Sequence, residues 1–186
     1  MNGLPGLHSS DPAQRLAIYL SDHRAGSATG LALAQRAAAS NRGNEFGTVL
    51  ARIAEEIEQD IRSLDNLMER LGANRDHIKE TAAWSAEKVG RLKLNGQLLG
   101  YSPLSRLVEL EGIALGVTGK LALWRAVREV LAGDPRLIGF DVERLINRAE
   151  EQQATIEDCR LGSARLAFRE GAAVEASVPS PDVPSV

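Results

Sequence analysis

The chain has 186 residues, with 22 Lys and Arg against 25 Asp and Glu and a formal net charge of −3. Apolar residues at 44% and charged residues at 25% describe an ordinary globular composition, long enough for one core without covalent staples. A single cysteine, Cys159, excludes an intramolecular disulfide framework and a Cys-rich zinc site, and near-neutral charge is not the strong basic excess of a dedicated nucleic-acid binder.

Residues 1–10 carry no Lys or Arg and no apolar run, and read as a flexible leader rather than a secretory signal. The first helix is expected from Asp11 to about Ala39. Asp11-Pro12-Ala13-Gln14 supplies an N-cap, a first-turn proline and a capping-box partner. After the break Ser40–Asn44, a second helix over 45–71 carries the stripe Val49, Ile53, Ile57, Leu64, Leu67 and Leu71. A shorter helix over 76–93 follows. Ser102-Pro103 then opens a long helix to about Ala132, which Gly133-Asp134-Pro135 stops. A last helix runs over 141–169. Residues 171–186, with three prolines and no periodicity, read as a disordered tail. The expected domain is therefore residues 11–170. No uncharged stretch approaches the roughly 18–20 apolar residues that span a membrane, so a cytoplasmic protein with no transmembrane segment is expected.

The pattern is long, long, short, long, long. Each long helix measures roughly 40–45 Å at about 1.5 Å per residue. Two matched hairpins separated by a long connection predict an all-α, antiparallel four-helix bundle whose single long crossover contains an extra, shorter helix. This order of helices resembles the ferritin-like superfamily in architecture. The resemblance implies a di-iron site of one Glu from each of two helices and Glu-x-x-His from the other two. Here Gln59 and Gln153 stand where those histidines would be, and no Glu-x-x-His occurs in the chain.

At roughly 100° per residue, each long helix turns polar side chains toward its apolar stripe. His23 and Ser27 do so on the first, Asp60 on the second with Glu56 at its edge, Glu111, Thr118 and Arg125 on the third. Gln152, Gln153 and Arg160 do so on the fourth. Matching heights place His23 opposite Asp60 and Glu111 opposite Arg160. Two readings follow. In one, His23, Asp60, Glu111, Arg160, Gln152 and Gln153 form a buried polar cluster whose pairs fix helix register, and no cofactor is needed. In the other, His23, Glu56, Asp60 and Glu111 hold a divalent metal, iron, manganese or zinc.

Glycines 26, 30, 112 and 116 at four-residue spacing read as close helix packing, or as space for an apolar ligand. Gly112–Lys120 imitates a phosphate loop but lies mid-helix, without the Lys-Ser/Thr ending. The basic end of the 76–93 helix, with Lys88, Arg91 and Lys93 near Trp84, reads as a solvated face strapped on the bundle. Cys159 reads as a buried, inert thiol. No catalytic set is indicated. The expectation is a non-enzymatic structural or interaction protein, with a homodimer or an unknown protein as its partner. The alternatives are the atypical metal protein and a carrier of a small apolar ligand.

Overall fold

The computed structural model describes residues 11–73 and 101–169, and the segments expected as leader, crossover helix and tail lie outside the described residues. Among the described residues there are four long helices: α1 (Pro12–Ser40), α2 (Glu45–Leu71), α3 (Pro103–Val130) and α4 (Val142–Phe168). There is no strand among the described residues. The molecule is an all-α four-helix bundle.

Each helix starts at a residue that satisfies orphan backbone N–H groups. The Asp11 carboxylate accepts from Ala13 N at 3.0 Å, Asn44 from Gly47 N at 3.2 Å, Ser102 from Ser105 N at 3.1 Å and Asp141 from Arg144 N at 2.9 Å. At its C-terminus α2 closes in a Schellman turn. Gly72 takes φ 66°, Ala73 N donates to Met68 O at 2.9 Å and Gly72 N to Glu69 O at 3.1 Å. The third helix ends at Val130, two residues before the expected stop. Leu131–Gly133 form a turn, and a 3-10 turn (Pro135–Leu137) capped by Asp134 leads into α4.

The α1–α2 turn is built around Asn41, which is buried. Its amide donates to Ala37 O at 2.8 Å and to the Tyr101 hydroxyl at 2.7 Å. Tyr101 in turn donates to Glu109 at 2.9 Å. The Asn41 carbonyl presses so close to α2 that a Cβ at Gly47 would lie 2.1 Å from it. Only glycine fits there.

Two apolar clusters fill the bundle, one at each end. Leu20, Leu67, Trp124, Val127 and Leu145 belong to the first, and Ala37, Phe46, Leu50, Leu110, Ile113 and Ile156 to the second. The start of α1 therefore meets the ends of α2 and α3 and the start of α4. α1 and α4 point one way, α2 and α3 the other, so the connection from Ala73 to Tyr101 joins opposite ends of the bundle. The helices pack closely within the two hairpins and between α1 and α3, while α2 and α4 stand farther apart and meet through long side chains.

Candidate functional site

Between the two apolar clusters lies a polar layer. Asp60 of α2 is 4% exposed and Gln152 of α4 is 1% exposed. Lys120 of α3 donates from Nζ to Asp60 Oδ2 at 2.5 Å and also to Gln152 Oε1. The other Asp60 oxygen accepts from Arg148 Nη2, whose guanidinium also donates to Gln59 at 2.9 Å. Gln152 Nε2 donates to Glu56 at 2.8 Å, and Glu56 accepts from Arg52 at 2.7 Å. Three cations and two carboxylates from α2, α3 and α4 are thus linked through one amide. Burial lowers the Lys120 pKa from its usual value, against the opposing pull of Asp60.

Against this layer opens a cleft of about 360 Å³ among α1, α2 and α3. From α1 come His23, Gly26, Ser27 and Gly30, from α2 Ile57, Asp60, Ile61 and Leu64. Ile113, Gly116, Val117, Gly119, Lys120 and Trp124 line it from α3. At Gly26, Gly30, Gly116 and Gly119 a Cβ would meet nothing within 4 Å among the described residues. These glycines do not bring backbones into contact; they leave space. Only Gly112 matches the close-packing expectation, since a Cβ there would come within 2.9 Å of Leu33.

The expected cluster is only partly assembled. Asp60 and Gln152 are buried and connected, but His23 does not pair with Asp60, whose two oxygens are held by Lys120 and Arg148. His23 lies half-buried beside the cleft, edge-on to Tyr19 with ring centroids 4.6 Å apart. Burial pushes its pKa down, with Asp22 pulling the other way. Glu111 and Arg160 face each other as expected, at 3.9 Å, but at the surface: the Glu111 side chain is 51% exposed, and Arg160 is engaged mainly by Glu157. Gln153 donates to the exposed Thr118 hydroxyl at 2.9 Å. Arg125, expected inside, is exposed and ion-paired with Glu150. Cys159 is half-buried rather than buried, with its thiol pushed up by burial.

These corrections on α3 share one cause. The expected phase takes Leu107 as the centre of the buried arc, whereas the buried residues Leu110, Ile113, Val117, Trp124 and Val127 centre it roughly a quarter-turn away. Glu111, Thr118 and Arg125 then fall outside, and Lys120, unassigned by the sequence reading, falls inside. Arg148 was missed because it reaches inward from the margin of the α4 stripe through its long stem. Centring the arc on Val117 and Trp124 identifies Lys120.

The set His23, Glu56, Asp60 and Glu111 does not fit a metal. Asp60 is saturated by two cations, Glu56 by Arg52 and Gln152, and Glu111 sits outside the bundle. Among the described residues no three His, Cys, Asp or Glu side chains converge as ligands. Among the same residues no helix is long and apolar enough to cross a membrane. Comparison with family models, characterised proteins and solved structures finds no match to this chain.

Proposed function

We propose that this chain, ferritin-like in its helix order, is a non-enzymatic carrier of a small, mainly apolar molecule held in the cleft among α1, α2 and α3. The observation that carries the reading is the set of four mid-helix glycines with open space beside them. Each costs about 1 kcal/mol relative to alanine in a helix, and among the described residues no packing contact offsets that cost. The void they leave is lined by Ile57, Ile61, Leu64, Ile113 and Val117, and it is of the size that small-molecule sites begin at.

The test is saturable binding of the neutral apolar fluorophore N-phenyl-1-naphthylamine. Gly30→Leu and Gly119→Leu place a side chain in the void at positions that accept one. The wild type should bind one probe per chain, and each variant should lose about tenfold or more in affinity, since one isobutyl group occupies much of the cleft. Equal binding by all three proteins, or none by the wild type, would overturn the reading. A second reading, a structural or interaction module, rests on the polar layer. Buried ionic groups spanning three helices favour one register over its alternatives.

A further inference from the structure

We infer that Lys120 is the covalent anchor of the cleft, an amine that captures a small apolar aldehyde as an imine. The inference rests on the carrier reading above and goes one step further, to the chemical class of the cargo.

Three observations converge on this lysine. Lys120 lines the cleft from α3, with its side chain 14% exposed. Its Nζ donates to Asp60 at 2.5 Å and to Gln152, so two of its three hydrogens are engaged and one position remains. Asp60 is fixed independently through Arg148, and so stays in place whichever protonation state Lys120 adopts. The third observation is in the sequence. The chain carries four lysines, Lys79, Lys88, Lys93 and Lys120, against eighteen arginines. Outside 79–93 every basic position but this one is arginine. Arginine is the better residue for a purely structural buried ion pair, whereas lysine alone can release its proton and become a nucleophile.

The step balances without a co-reactant. Lys120–NH3+ passes a proton to Asp60 Oδ2, and the free amine adds to the carbonyl carbon of R–CHO. The resulting carbinolamine loses its hydroxyl as water when Asp60 returns the proton. Lys120–NH3+ and R–CHO become Lys120–NH+=CH–R and H2O. One C=N bond replaces one C=O bond, nothing is oxidised or reduced, and the cationic nitrogen stays beside Asp60. An apolar R group occupies the space that the glycines leave. A ketone would bring a second substituent against the polar layer, which favours an aldehyde.

The experiment uses 2-naphthaldehyde with sodium cyanoborohydride, which reduces the imine to a stable secondary amine, followed by peptide mapping of the full chain. Lys120 should be modified clearly faster than Lys79, Lys88 and Lys93, because it lines the cleft that holds the aldehyde and burial favours its neutral amine. Lys120→Arg, which keeps the cation, should lose the fast adduct and retain its circular dichroism and melting behaviour. In parallel, 2-methylnaphthalene, the same shape without the carbonyl, is titrated as a competitor of N-phenyl-1-naphthylamine. If it competes but Lys120 is modified no faster than the other lysines, the imine inference is wrong and the carrier reading stands. If neither compound displaces the probe and no fast adduct forms, both fail.

Discussion

Asp60 holds two cations from two helices while almost wholly buried. Removing its charge leaves Lys120 and Arg148 without their direct carboxylate partner, with Glu56 reaching the layer only through Gln152. Breaking a buried pair in this way costs about 3–5 kcal/mol. Asp60→Asn should therefore lose that much by chemical denaturation, whereas Lys120→Met should lose clearly less, because Asp60 keeps Arg148 and the thioether preserves volume. Equal losses would mean that the two cations are not alternatives for one carboxylate. His23 makes a second residue-scale prediction. Its pKa is held below 6.5 by burial, with Asp22 opposing, while Asp60 and Lys120 share the cleft with it. The unfolded chain then takes up more protons as pH falls through 6.5, so stability from this group is full above that value and lost on acidification. Melting temperatures measured between about pH 5 and about pH 7.5 should fall on the acid side, and His23→Gln should flatten that part of the profile.

Among the helices, the glycines separate into two kinds that sequence alone does not distinguish. Gly30 has open space where a Cβ would stand, so Gly30→Ala should stabilise by up to about 1 kcal/mol. At Gly47 an added Cβ would stand 2.1 Å from the Asn41 carbonyl oxygen, so Gly47→Ala must displace backbone at a buried turn. A fall of several degrees in melting temperature is expected for it, against a rise for Gly30→Ala. The same contrast marks where the sequence was readable. The strong, narrow stripe of α2 defines its bounds and its inward face, and Asp60 follows from it. On α3 apolar residues cover most of the circumference, so periodicity does not locate the buried side, and taking Leu107 as its centre puts Glu111 inward and leaves Lys120 unassigned. The capping residues Asp11 and Ser102 were legible because each acts on its own neighbours. The partners of Asp60 were not, because they depend on how three helices meet.

For the molecule as a whole, the order of helices places an apolar cluster at each end and polar groups between them. Matched hairpins put Asp60, Lys120, Arg148 and Gln152 at one level, and glycines on α1 and α3 open a cleft beside them. On the carrier proposal, this cleft holds an apolar molecule against the bundle's own side chains. Trp124 forms part of its wall and is almost fully buried. The most direct measurement is therefore Trp124 emission in Trp84→Phe protein, where it is the single tryptophan, during titration with N-phenyl-1-naphthylamine. Saturable quenching that ends at one probe per chain, and that weakens in Gly30→Leu, is the predicted result. Probe binding without Trp124 quenching, or quenching that Gly30→Leu leaves unchanged, would contradict the account.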